Sequence, residues 1–225
     1  MKHCTIAFFL LVLIISCNIK QKNPQSDNCS DTLMINNKMY CFDSISESYY
    51  NSINFRFPLK SDTVPIDTSV VKVMSYGIQI KTNGKEVFLK NDTADNDSRV
   101  IYSYIKTIAN IEFVHIKGVF WEWTTDYLIN LKTGDNTVLW EQPILSPNKK
   151  LIISCSADLV ATMMPNGIQL FKIDNGVIQK VFEKEIEKWG PSETKWESDS
   201  TILIKRLKVD DKYNEKYDYV RMKIK

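Results

Sequence analysis

Histidine is nearly missing from this chain and glycine is scarce: two and seven among 225 residues. His3 belongs to the extreme N-terminus, so His115 is the one imidazole left for a folded body. A serine or cysteine hydrolase needs a base beside its nucleophile, and no Gly-x-Ser-x-Gly turn presents any serine here. Gly-x-Gly never occurs, which removes the phosphate-cradling loops of nucleotide enzymes. Without a Cys-x-x-Cys pair, and with one histidine, zinc has too few ligands, and neither metal nor cofactor is expected. The formal charge is only +2, so the basic surplus that attracts nucleic acid is missing as well. The longest apolar run, Ile6 to Ile15, has ten residues, whereas a membrane-spanning helix needs about 20.

That short run is nevertheless informative. It follows Met1-Lys2-His3, ends at Ser16-Cys17, and gives way to the polar stretch Asn18-Ile19-Lys20-Gln21-Lys22-Asn23-Pro24. A basic start, a short apolar core and a small residue before the cut describe an export signal. The segment resembles a bacterial lipoprotein signal peptide, with Ile14-Ile15-Ser16-Cys17 as the lipobox. The resemblance implies removal of residues 1–16, a diacylglycerol on Cys17 and anchoring by several acyl chains, which hold better than one. It also implies a site in the bacterial cell envelope. Asn18 in place of aspartate after the anchor points to the outer membrane, facing the periplasm. The mature chain would carry 28 basic and 27 acidic residues, a net +1. Residues 17–30 read as a flexible tether and 31–225 as a single domain.

An exported chain is permitted disulfides. Cys29 and Cys41 lie twelve residues apart across an expected hairpin, Thr32 to Phe42 with Asn36-Asn37 at its tip, and are candidates for a bridge. Cys155, in Leu151-Ile-Ile-Ser-Cys-Ser-Ala157, reads as a buried structural thiol.

Strand signals dominate the remainder. Asn83-Gly84, Asn166-Gly167 and Asn175-Gly176 are pairs suited to tight hairpins. Lys132-Thr-Gly-Asp135 separates Tyr127-Leu-Ile-Asn-Leu from Thr137-Val-Leu-Trp140 in the same manner. Ser44 to Tyr50 fits a short helix or an extended edge, and Phe182 to Lys188 carries a hint of helix. Lys60 to Thr68 reads as a turn-rich connector. Short strands with frequent turns predict an all-β fold of antiparallel sheets.

A weak internal repeat refines this. Gly77-Ile-Gln-Ile-Lys-Thr-Asn-Gly-Lys-Glu-Val-Phe parallels Gly167-Ile-Gln-Leu-Phe-Lys-Ile-Asp-Asn-Gly-Val-Ile, and Tyr127 to Leu139 has the same strand–turn–strand form. Leu145-Ser-Pro-Asn-Lys-Lys-Leu-Ile-Ile and Trp196-Glu-Ser-Asp-Ser-Thr-Ile-Leu-Ile each read as the opening of a new unit. Residues 127–206 resemble blades of exported β-propeller proteins, although Ser146-Pro147-Asn148-Lys149-Lys150 lacks the glycine of the usual turn. The stretch 120–205 also resembles a group of bacterial envelope lipoproteins with a Trp-rich C-terminal half, from which no activity carries over. A partial or small propeller, or a curved sandwich, is expected.

All five tryptophans fall between positions 121 and 196. Alternation along a strand would put Trp121 and Trp123 on one face with Glu122 opposite. With Tyr127 and Trp140 they form the candidate binding surface, since Trp and Tyr join large area to a hydrogen-bonding tip. His115, on a strand face with Phe113 and Lys117, reads as an ordinary surface or half-buried residue. The expected function is a non-enzymatic, membrane-anchored lipoprotein whose β scaffold binds a protein or glycan partner. A periplasmic inhibitor or immunity protein is one alternative, and a carboxylate-dependent hydrolase using Glu122 or Glu141 is another.

Overall fold

A computed structural model describes residues 29–53 and 68–224. The signal-like segment, Cys17, the tether up to residue 28 and nearly all of the 60–68 connector lie outside the described residues. The fold is all-β, with four open antiparallel sheets among the described residues.

The chain begins with a hairpin, β1 (Asp31–Ile35) and β2 (Lys38–Ser44), turned by Asn36 and Asn37 at φ 48° and 61°. Both asparagines occupy the left-handed region that a tight hairpin requires. Cys29 and Cys41 are joined in a disulfide, with Cα atoms 5.4 Å apart. Ser30 N–H donates to Phe42 O at 3.0 Å, so the last two residues of the expected tether are held against β2. Closing a loop of this length is worth about 3 kcal/mol in the chain-entropy model. Reduction is therefore expected to lower the unfolding midpoint by roughly 6–12 °C. Calorimetry with and without reductant checks this, and an unchanged midpoint would leave the hairpin held by strand pairing alone.

A one-and-a-half-turn helix, α1 (Glu47–Ser52), follows. It is capped by Ser46, whose hydroxyl accepts from Tyr49 N–H at 3.1 Å. This answers the ambiguity of residues 44–50 in favour of the helix. The first sheet is β3 (Val71–Met74), β4 (Gly77–Ile80) and β5 (Val87–Lys90). The second is β6 (Val100–Ile108), β7 (Phe113–Phe120), β8 (Thr124–Asn130) and β9 (Asn136–Leu139). The third is β10 (Ile144–Leu145), β11 (Leu151–Ser156), β12 (Gly167–Asp174) and β13 (Val177–Glu185). The fourth contains β14 (Gly190–Ser198), β15 (Thr201–Val209) and β16 (Glu215–Lys223), continued by β2 and then β1. Its β16–β2 register, Val220 opposite Ser44 and Met222 opposite Phe42, ties the two ends of the described chain together.

Three apolar layers stack these sheets in chain order. Val71, Ile78 and Ile80 of the first meet Val114, Ile116 and Ile129 of the second. Ile108, Phe113, Leu128 and Leu139 meet Leu145, Ile152 and Phe171 of the third. Ile153, Ile168, Leu170 and Phe182 meet Trp196, Ile202, Ile204 and Val220 of the fourth. Each such side chain contributes about 1.5–3 kcal/mol when fully buried. The succession of small meanders is propeller-like, and α1 lies on the outer face of the fourth sheet, with Tyr50 5.1 Å from the Tyr219 ring.

The repeated segments begin alike, at Gly77 and Gly167, and differ at their turns. β4–β5, β8–β9 and β12–β13 are the last hairpins of the first three sheets. A Cβ on Gly77 would come 2.3 Å from Leu89 O, and one on Gly167 would come 2.1 Å from Lys184 O. Both glycines thus admit the partner strand at the same place in the repeat.

Three sequence expectations need correction. Phe182 to Lys188 is not helical: Phe182, Lys184 and Glu185 pair with Leu170, Ile168 and Gly167 in β13. The four-residue spacing of Phe182 and Ile186 imitates a helix only because the strand ends between them. Of the Asn-Gly pairs, Asn175-Gly176 alone makes the tight turn, at φ 51° and 78°. Asn83 N–H instead donates to Leu131 O at 2.9 Å, and a Cβ on Gly84 would come 2.7 Å from Thr133 O. That loop is shaped by docking on the second sheet rather than by its own twist. Asn166 is likewise no turn residue; its side-chain amide donates to Ile186 O and, at 3.0 Å, to Trp189 O.

Candidate functional site

The four aromatic residues chosen from the sequence do not form one surface. Trp121 and Trp123 lie in the β7–β8 turn rather than on a strand face. Phe120 N–H donates to Trp123 O at 2.8 Å, which closes the turn and ends strand alternation before either indole. The Phe120 and Trp123 rings stack with centroids 3.8 Å apart and planes 3° from parallel. Trp121 and Trp123 are 46% and 43% exposed, an unusual outlay of large apolar area for residues fixed in a short turn. Tyr127 packs instead toward the first sheet, 5.9 Å from the Tyr102 ring. Its burial, with Tyr102 beside it, pushes the phenol up to about 12. Trp140 is buried and its backbone N–H donates to Gln169 Oε1 at 2.9 Å. Tyr127 is thus half-buried in the layer with the first sheet, and Trp140 is buried, while Trp121 and Trp123 remain exposed.

A second constellation was not recognised in the sequence. His115 is 1% exposed, and its Nε2 pairs with Asp126 Oδ1; Asp126 is 2% exposed. The reading of His115 as a surface or half-buried residue is therefore wrong. Alternation places Phe113, His115 and Lys117 on the β7 face that meets the third sheet, and Asp126 with Leu128 on the same face of β8. The apolar end of that face is core, and the other end is polar.

Lys106 joins the pair through an irregularity. The β6–β7 register slips between Tyr104 and Lys106, so Lys106 faces His115 while Ile105 stands 43% exposed. Without the slip Lys106 would continue the Tyr102–Tyr104 face toward the first sheet, and Ile105 would stand opposite His115. Bulges of this kind re-aim side chains and are frequent beside functional sites. Lys106 is 8% exposed, and burial, opposed only by the charge of Asp126, pulls its ammonium down to about 8. Three atoms here have no hydrogen-bond partner: Lys106 Nζ, His115 Nδ1 and Asp126 Oδ2. Orphans of this kind cost about 1–3 kcal/mol each.

Glu141 lies at the edge of this cluster, on the connector between β9 and β10. Its backbone N–H donates to Ser154 Oγ at 3.0 Å, and that hydroxyl donates back to Glu141 O at 2.8 Å. Desolvation raises its carboxyl, against a hydrogen bond with Ser156 and the charge of Lys117, while Asp126 pushes it further up. Glu122, the other carboxylate considered, sits in the exposed turn between the two indoles. Cys155 points to the opposite face of β11, against the layer shared with the fourth sheet. Burial pushes its thiol up to about 12, which suits packing and not nucleophilic attack.

Among the described residues no group of three His, Cys, Asp or Glu side chains is placed to hold a metal ion. No described helix is long and apolar enough to cross a membrane. Compared with protein-family models, curated proteins and solved structures, the chain finds no match.

Proposed function

We propose that this chain is a lipid-anchored, non-enzymatic protein of the bacterial cell envelope that uses its β scaffold to bind a protein or glycan partner. The observation that carries this is the β7–β8 turn. Two indoles are exposed there, and one of them is stacked flat on Phe120. A pre-stacked ring loses little conformational freedom on binding, so its contact area converts to affinity at small entropic cost. Glu122 between the indoles adds an acceptor for a donor on the partner. Residues 1–17 support the anchoring half of the reading through their resemblance to a lipoprotein signal, with Cys17 as the acylated residue.

The test separates fold from contact. Trp121→Ala with Trp123→Ala is expected to leave the unfolding midpoint within a few degrees of wild type and to abolish capture of the partner from detergent-solubilised envelopes. The same variant applied to a glycan array tells a sugar from a protein partner. Capture that survives both substitutions sinks the assignment to this turn. Cys17→Ser is expected to release the protein from the membrane; continued membrane association would refute the anchor. The hydrolase alternative rests on the raised Glu141 carboxyl near Asp126, and hydrolysis unchanged in Glu141→Gln would remove it.

A further inference from the structure

We infer, on the footing of the proposed function, that the partner is a protein with an apolar contact surface rimmed by lysine or arginine, and that it covers one whole end of the sheet stack rather than the β7–β8 turn alone. Hydrogen bonds between turns fix which ends of the sheets coincide. Asn83 N–H in the β4–β5 loop donates to Leu131 O in the β8–β9 turn at 2.9 Å. Asn130 Nδ2 donates at 2.8 Å to Gly176 O in the β12–β13 turn. Asn148 N–H, between β10 and β11, donates at 2.8 Å to Asp199 Oδ1, between β14 and β15. These turns share one end of the stack, so the alternate turns, β3–β4, β7–β8, β11–β12 and β15–β16, share the other. Among the described residues, six large apolar side chains stand exposed in turns: Tyr76, Trp121, Trp123, Val160, Met163 and Tyr213. All six belong to that second end, while the other exposed large apolar residues lie within strands.

The β11–β12 loop is already shaped for contact. Asp158 Oδ1 accepts from Thr162 N–H at 2.9 Å, and Oδ2 from Met163 N–H and Met164 N–H at 2.8 Å each. A fixed loop thus presents Val160 and Met163, and holding it costs little more on binding. The same end is acidic. Its turns, with the β5–β6, β9–β10 and β13–β14 connectors, carry nine Asp and Glu against three Lys and Arg; the turns of the opposite end carry four against five. Val100 pairs with Phe120, so the β5–β6 connector, with exposed Asp95 and Asp97, abuts the tryptophan turn. Aromatic residues and methionine within a polar rim describe a protein–protein patch, and the negative sign selects a basic surface opposite. Val160 and Met163 offer a sugar no flat ring to stack on, and anionic lipids would be repelled.

A synthetic peptide of four Lys-Leu-Leu-Lys repeats stands in for such a surface. The experiment titrates the purified protein by calorimetry with this peptide and, separately, with its Glu-Leu-Leu-Glu counterpart, phosphatidylglycerol vesicles and chitotriose. Saturable binding of the basic peptide alone is expected. It should weaken at least tenfold in Val160→Ser with Met163→Ser, in Asp95→Lys with Asp97→Lys, and on raising NaCl from about 50 to 500 mM. Lys81→Glu with Lys150→Glu, at the opposite end, should leave it unchanged. Should the serine variant fail to fold, the Asp95→Lys, Asp97→Lys variant decides. No saturable binding of the basic peptide, equal binding of the acidic one, or affinity unchanged in the variants of this end would each overturn the inference. Vesicle binding lost in those variants would assign this end to lipid and overturn it too. Chitotriose binding lost in the Trp121→Ala, Trp123→Ala variant would make the partner a glycan, so that this inference fails and the proposed function stands. Envelope capture that survives the tryptophan variant would instead remove the turn assignment from which both proceed.

Discussion

Trp196→Ala is expected to lower the unfolding midpoint by roughly 10–15 °C, the loss of about 3–5 kcal/mol in a chain of this size. Trp196 is wholly buried and belongs to the layer between the third and fourth sheets. Its Nε1–H donates to Ile144 O at 2.9 Å, so the indole fastens one sheet to the next as well as filling the layer. Truncation leaves a large cavity and an orphaned carbonyl together. The fourth sheet also holds both ends of the described chain through the β16–β2 register. Loosening it therefore releases the N-terminal hairpin, and a lower denaturant slope is expected with the lower midpoint. Thermal and urea melts of Trp196→Ala beside Trp121→Ala check this. The exposed indole should cost about 1 kcal/mol or less, and equal losses at both positions would contradict the placement of the two tryptophans.

That contrast also shows what could be read from the chain. The five tryptophans look alike in sequence, yet burial divides them: Trp140, Trp189 and Trp196 are core, while Trp121 and Trp123 are exposed. What decides is which sheet lies opposite, a non-local fact. Local devices were legible. The Asn36-Asn37 and Asn175-Gly176 turns and the Lys132 to Asp135 turn declare hairpins through their own backbone demands. Three hairpin repeats were visible because each is built from consecutive strands. The return of β2 and β1 from the start of the chain to complete the fourth sheet beside β16 was not visible, because that pairing is non-local.

The buried cluster stayed hidden for a related reason. His115 and Asp126 meet diagonally across a strand pair, and Lys106 reaches them only through a slipped register. Period-two reasoning puts Lys106 on the Tyr102–Tyr104 face toward the first sheet, whereas the slip turns it to His115 on the other face. The one local hint was a strand, Thr124 to Asn130, with Asp126 two residues from Leu128 on a face that must be covered. Sequence patterning located the sheets well, and it failed where a single extra residue inverted a face.

Lys106 also makes the stability of the protein depend on pH in an unusual direction. Its folded value is about 8, and an unfolded lysine titrates near 10.4. Below pH 8 both states hold the proton, and the folded state bears the full cost of the buried ammonium. Between pH 8 and about 10.4 the unfolded chain keeps the proton that the folded chain has released, so this group raises stability as pH rises. The span corresponds to about 3 kcal/mol at most. Cys155, with its thiol near 12, works the other way, because only the unfolded thiol ionises above about 8.5. Tyr127 adds a like loss above about 10. The wild-type curve alone therefore mixes opposing slopes, and the difference between wild type and Lys106→Met isolates the lysine. Lys106→Met is expected to be more stable than wild type by about 1–3 kcal/mol at pH 7, since removing a buried, unpartnered charge in favour of an apolar chain of similar size is stabilising. The advantage should shrink as pH climbs from 8 to 10. Urea melts at half-unit pH intervals measure it. An advantage that is constant with pH would show that Lys106 does not titrate in this window, and a variant less stable than wild type at pH 7 would show that the ammonium is held by contacts stronger than the charge of Asp126.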